Sequence, residues 1–239
     1  MLRKNIAEKM EGAKKRFRFR GHEVRRIEAF SDAVFAFAVT LLIVSLEVPK
    51  NFEELMVTIR GFFAFGVSFI LLMMIWYEQN IFFRRYGLDD LKTIVLNCIL
   101  IFLVLFYVYP LKFLFTLVFS NQIYGADASP FVIRLDDVPK LMIVYGAGYL
   151  LIYCLFALMY MHALKKSSEL ELNRGEIFET KTKLYKSFIL ILIGIASIIV
   201  AIIAPAENAG LAGLTYILIG PALSVFYTKR NRNRRRLKI

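Results

Sequence analysis

Three side chains able to do chemistry open an otherwise apolar run. In RIEAFSDAVFAFAVTLLIVSLEVP, residues 26–49, Arg26, Ser31 and Asp32 precede a nearly unbroken apolar stretch. A carboxylate at the middle of a bilayer costs about 2.5–3.5 kcal/mol on insertion scales. Asp32 must therefore bind something or accept hydrogen bonds. Few other candidates exist. His22 and His162 fall near the edges of apolar blocks and read as interfacial side chains. Cys98 and Cys154 lie inside such blocks and read as buried thiols, with no metal-ligand spacing around them. There is no phosphate-binding glycine loop and no pair of carboxylates at catalytic spacing. The loops leave no room for a soluble catalytic domain. The chain is not expected to be an enzyme, and its function must lie among its helices.

The elements that position these residues follow from composition. Of 239 residues, 58% are apolar and 15% aromatic, against about 45–50% apolar in ordinary soluble domains. The apolar residues gather in six blocks, near 27–48, 60–83, 91–119, 139–163, 184–204 and 208–228. Each is about 20 residues or more, the length a helix needs to cross a hydrocarbon core of about 30 Å. No ten-residue alternation suggests a transmembrane barrel. The first block is too long for a signal peptide, and Glu47 and Pro49 follow it in place of small residues. The pattern predicts an all-α integral membrane protein with six transmembrane helices per chain.

Charge predicts the orientation. Of the 31 Lys and Arg residues, all but Lys50, Arg60, Lys112, Arg134 and Lys140 fall on one side of the six-span arrangement. Basic loops favour the cytoplasm, so both termini are expected there, and six spans satisfy that. Residues 1–26 form a basic cytoplasmic segment, 27–228 the membrane domain, and 229–239 a basic tail. The net charge of +12 is then a positive-inside signal, with the basic tails facing anionic lipid. Nucleic acid is not the expected partner.

The first helix has two faces. At about 100° per residue, Phe37, Leu41, Val44 and Val48 form one narrow apolar stripe. Thr40 lies beside it with Ala29, Ala33 and Ala36, a small-residue stripe of the kind that lets helix backbones approach closely. Ser31 and Asp32 point away from the Phe37 stripe and must meet partners inside the protomer. Arg26 and Asp32 cannot face each other on one ideal helix.

Arg26-x-x-x-Phe30-Ser31-Asp32, followed by Ala-Val-Phe-Ala, resembles the signature of the transmembrane protein 175 potassium-channel family. Trp76 near the inner end of the second block, and Asn97 and Pro110 in the third, also fall where that family places them. Six spans in one copy look like its bacterial, single-repeat form, which implies residence in a bacterial inner membrane. Gln79 and Asn80 stand where the family often has His-His, and Phe37 where it commonly has Ile or Leu. The resemblance implies a homotetramer whose first helices line a central pore. Phe37, Leu41 and Val44 would supply apolar rings, and Thr40 a hydroxyl layer with permeating potassium nearby. It implies no cofactor and no tightly bound metal. The carbonyl filter of conventional potassium channels needs a T-x-G-Y-G loop, and none occurs.

An apolar constriction sets its barrier by dehydration and dewetting. Potassium sheds water more readily than sodium, so a cation channel with a modest potassium preference is expected. No Arg-rich helix supports steep voltage gating. Asp32 and Ser31 are expected to share hydrogen bonds with the Trp76 indole, Asn97 or nearby amides. Glu78 is either a second acid in that layer or a side chain snorkelling to the interface. The alternative is a secondary transporter or proton-coupled carrier using Asp32 as its ion site. That reading lacks the inverted repeat and interrupted helix pair of such carriers.

Overall fold

The computed structural model describes residues 17–21, 23–44, 49–124 and 134–237. Among them every regular element is a helix. The principal ones are α1 (Arg26–Val44), α2 (Phe52–Tyr86), α3 (Leu91–Val118), the short α4 (Ser120–Tyr124), α5 (Val138–Lys165), α6 (Arg174–Ile203), the short α7 (Leu211–Leu214) and α8 (Ile219–Arg236). Five stretches are long and apolar enough to cross a membrane by length and composition: Phe52–Tyr86, Leu91–Val118, Leu135–Lys165, Arg174–Ile203 and Ala206–Arg234. α1 has 19 residues and carries Arg26, Glu28 and Asp32. The expected end of the first block, residues 45–48, lies outside the described residues, Val48 with it.

Local chemistry sets the helix ends. Asn51 caps α2 by accepting from the Glu54 amide at 2.8 Å. The helix closes at Gly87, whose φ of 56° is the left-handed conformation that glycine adopts at low cost. α6 starts with a reciprocal capping box between Asn173 and Glu176. α2, at 35 residues, spans about 52 Å and outruns the block read from hydropathy at both ends. The last block departs most from expectation. It is a broken path: a 3-10 turn at Ala206–Asn208, α7, a second 3-10 turn at Thr215–Leu218, then α8. Pro205, Gly210, Gly213, Gly220 and Pro221 explain this, because glycine and proline disfavour a continuous helix.

Two cores hold the bundle together. Phe35, Ala38 and Leu42 of α1 pack with Leu72 of α2 and with Ile101, Val104 and Val108 of α3. Toward the C-terminal end of α2, Phe82, Phe83 and Tyr86 pack with Leu155, Phe156, Met159 and Tyr160 of α5. α5 and α6 lie side by side at close range, and a Cβ on Gly146 would sit 2.6 Å from Ile198 Cγ1. Across α3 and α5, the Tyr107 hydroxyl donates to the Tyr145 carbonyl at 2.7 Å, and the Tyr145 hydroxyl to the Pro110 carbonyl at 2.6 Å.

A strap of chain, residues 17–21, crosses the bundle at the C-terminal end of α2. Phe17 is buried edge-on against Tyr86. The Arg20 and Gly21 amides donate to the Arg84 carbonyl at 3.1 and 3.2 Å. The Arg18 amide and the Arg20 guanidinium both donate to Glu176. α8 folds back in a similar way. Arg230 lies 4.0 Å over the Phe178 ring and donates to Thr182, and Arg234 pairs with Glu179 at 2.6 Å. These two tail cations are thus engaged by α6.

Candidate functional site

α1 enters beside α2 and α3 and buries one side against them. Ser31, Phe35, Ala38 and Leu42 are all at most 2% exposed. The opposite side is open: Ala29, Ala33, Ala36, Phe37, Thr40 and Ile43 are exposed, and Phe37 keeps 56% of its surface. At about 100° per residue these occupy one continuous arc centred near Ala33 and Thr40. Leu41 is half-buried at the edge of that arc. The exposed face is therefore turned toward Thr40 relative to the Phe37–Leu41–Val44 stripe read from the sequence. The backbone of Val44 ends α1, but its side chain lies outside the described residues. The Thr40 hydroxyl donates to the Ala36 carbonyl at 3.0 Å. Its proton is spent on the helix, so its oxygen lone pairs remain as acceptors.

The inward side carries a polar relay. Gln79 Nε2 donates to Asn97 Oδ1 at 2.9 Å, Asn97 Nδ2 donates to Ser31 Oγ at 2.8 Å, and Ser31 Oγ donates to the Ile27 carbonyl at 2.7 Å. Ser31 and Asn97 are fully buried and Gln79 is 2% exposed. The relay joins α1, α2 and α3 at one depth. Gln79 keeps a hydrogen bond where the resemblance places a histidine. Beside the relay, Trp76 Nε1 donates to Asp32 Oδ1 at 2.7 Å. The structure thus brings Ser31, Asp32, Trp76 and Asn97 together. Asp32 nevertheless stands at the exposed margin of α1, because its position on the wheel lies just beyond the buried arc.

Arg26 and Phe30, the motif residues that open α1, do not join this relay. Both occupy the arc that α1 turns away from α2 and α3, and Phe30 is 55% exposed. They line a cleft of about 870 Å³ with Val24, Arg25 and Asp89. Within it Arg25, not Arg26, pairs with Asp89.

Glu78 takes neither role expected of it. Successive helical positions point about 100° apart, and Glu78 is directed toward α5 and α6, away from the Asp32 layer. There Lys183 Nζ donates to both of its oxygens at 2.9 and 3.1 Å, Lys186 Nζ to Oε2 at 2.9 Å, and Tyr160 Oη to Oε1 at 2.8 Å. The sequence signal was available: an acid on α2 and two lysines three apart on α6, each at the edge of an apolar stretch. No register between the helices was readable to join them. His162 is likewise more than interfacial. It is 8% exposed, with Nε2 2.7 Å from Asp90 Oδ2. Burial raises the Asp90 pKa, but hydrogen bonds from Thr93 and His162 and the charges of His162 and Lys166 outweigh it, and the net shift is downward. His22 lies outside the described residues. Cys98 is exposed, contrary to expectation, and Cys154 half-buried, both as free thiols. Among the described residues, no three or more His, Cys, Asp or Glu side chains converge as a metal site.

Comparison with known proteins places this arrangement. A family profile for the endosomal/lysosomal potassium channel TMEM175 matches residues 26–110, which run from the head of α1 to Pro110 of α3. A protein described as a potassium channel from Marivirga tractuosa is 40% identical over 98% of this chain and 98% of its own length. The chain belongs to the TMEM175 family. The family is one of channels and not of enzymes, and this member is an integral membrane protein. A crystal structure of a Thr→Ala variant of the potassium channel MtTMEM175, bound to a nanobody fusion, is 39% identical and superposes with a TM-score of 0.80. It covers 90% of this chain and 97% of that one. A protein from Chamaesiphon minutus, described as a homologue of the lysosomal potassium-selective channel TMEM175, shares the fold at 22% identity. Its TM-score is 0.53 over 86% of this chain and 97% of that chain.

Proposed function

We propose that this chain is one subunit of a homotetrameric, potassium-permeable cation channel in an inner membrane, with α1 as the first of six spans and its open face lining the pore. The observation that carries the reading is the division of α1 into a buried, hydrogen-bonded side and an open side of Phe37, Thr40 and small residues. Membrane helices bury side chains against lipid or protein, and a narrow face of alanines with one hydroxyl suits close approach to symmetry copies. Phe37 and, at the margin, Leu41 act as apolar rings that strip water, with Val44 as a third ring at the end of α1. Four Thr40 oxygens, their protons committed to the Ala36 carbonyls, return part of the lost hydration to a passing cation. Potassium is preferred over sodium modestly, because dehydration costs it less and no rigid carbonyl cage assists. The ion is a permeant species rather than a resident metal. The relay through Ser31, Asn97 and Gln79, with Trp76 bonded to Asp32, fixes α1 so that the open face keeps its rotation. On this reading Asp32 positions the helix and is not a carrier's ion site.

The test is Thr40→Val, which keeps the shape and removes the oxygen. The potassium-to-sodium permeability ratio, read from reversal potentials under bi-ionic conditions, should fall while conduction persists. The fall should be less than about tenfold, or about 1.4 kcal/mol, because one layer of several is changed. An unchanged ratio in a conducting channel would remove Thr40 from the pore.

A further inference from the structure

We infer that the groove between α2, α5 and α6 is a binding site for an anionic phospholipid, with the phosphate held by Lys183 and Lys186. The groove encloses about 450 Å³. Phe69, Ile70, Met73 and Met74 of α2 form an apolar wall, and Tyr153 of α5 with Lys183 and Lys186 of α6 closes the polar end. Ile70 and Met74 are each 58% exposed, an open apolar surface of the sort an acyl chain covers.

Three observations select the occupant. The first is depth. α2 carries no charge through residues 61–77, and α6 none through 187–203. Each is about 25 Å of helix, close to the hydrocarbon thickness. Glu78 and Lys186 stand at the inner ends of these stretches, at the level where lipid phosphates lie. The second is charge. Two ammonium groups face one carboxylate, leaving one excess positive charge to complement a phosphodiester monoanion. The third is donor capacity. Each ammonium has three protons. Glu78 takes two contacts from Lys183 and one from Lys186, while Tyr160 occupies the remaining side of the carboxylate. Both lysines thus retain donors, and their side chains are 18% and 19% exposed. Basic pockets between transmembrane helices suit such head groups. This site is separate from the open face of α1, and its occupancy can be measured without reference to conduction.

Native mass spectrometry of the purified protein in nonionic detergent, with equimolar phosphatidylglycerol and phosphatidylcholine added, tests the inference. Phosphatidylglycerol adducts should exceed phosphatidylcholine adducts by about fivefold, the increment of one lysine beside an anionic lipid. Lys186→Gln should erase that preference, and Lys186→Arg should keep it. Met74→Trp leaves the ion cluster intact, so folding is not at issue, and should lower adducts of both lipids by filling the groove. Equal retention of the two lipids by the wild type, or unchanged adducts in Met74→Trp, overturns the proposal. So does full displacement of the lipid by millimolar inorganic phosphate, which would mark a free-phosphate site. A change of oligomeric mass in Met74→Trp with lipid adducts intact would assign the groove to contact between copies and overturn it equally.

Discussion

Asn97 is the position where removal of a few atoms should be felt most clearly. Its amide is the middle of the relay, accepting from Gln79 at 2.9 Å and donating to Ser31 at 2.8 Å with no exposed surface. Asn97→Ala treats the two neighbours unequally. Ser31 keeps its own bond to the Ile27 carbonyl and loses only a donor, a cost of about 0.5–1 kcal/mol. Gln79 Nε2 loses its acceptor at 2% exposure, and an unmatched buried donor costs about 1–3 kcal/mol. The expected loss is about 1.5–4 kcal/mol, read as a lowered midpoint of thermal or denaturant unfolding in detergent. Replacing both partners should be milder. Asn97→Leu combined with Gln79→Leu removes the donor and the acceptor together and should recover part of the loss. The coupling between the two sites should reach about 0.6–1.7 kcal/mol, the measured span from average to maximum for hydrogen bonds between membrane helices. Strictly additive single and double mutants would show that the two amides do not sense each other and would refute the relay.

Further expectations follow from other contacts. Leu41→Asn should hydrate the constriction, raising current and lowering potassium preference in single-channel recordings. Val39→Asn, on the side of α1 that packs with Phe35 and Leu42, should lower expression without that gain. Equal behaviour of the two variants would contradict the assigned rotation of α1. Glu78→Gln leaves two lysines without their shared counter-ion and should destabilise by about 3–5 kcal/mol. A melting temperature equal to wild type would show the cluster to be incidental. Asp90 has a lowered pKa in the folded protein, so its contribution to stability is full above its unfolded value near about 3.9. It is lost as pH falls through the lower folded value. The share of wild type's melting-temperature advantage over Asp90→Asn that comes from the ionised carboxylate should therefore be lost only as pH falls below about 4.

Much of the bundle was legible because hydropathy and charge act along the chain. The bounds of α3 and α5 follow their apolar blocks to within a few residues, and helix depth groups Ser31 and Asp32 with Trp76 and Asn97 without telling which bonds to which. Facing was harder. Phe37 fell on the open side of α1, but Leu41 sits at its margin, because an apolar stripe does not reveal which of its edges a neighbour covers. Depth alone leaves Glu78 either in the Asp32 layer or snorkelling to the interface, because its direction depends on the rotation of a 35-residue helix against a partner about 105 residues away. The last block read as one apolar span because hydropathy is blind to backbone continuity, and Gly210, Gly213 and Pro221 interrupt it.

The strap at residues 17–21 sets an order on the birth of the molecule. Its anchor, Glu176, lies 158 residues downstream of Arg18. At synthesis rates of about 5–20 residues per second, the strap waits about 8–30 s for its acceptor. Throughout that interval the strap has only α2 to rest on, through the Arg84 carbonyl and the Tyr86 ring. Only when the first turn of α6 forms and Glu176 takes its capping role can Arg18 and Arg20 dock. An early segment thus completes its seat late, and the same carboxylate that starts α6 locks the strap onto the far side of the bundle.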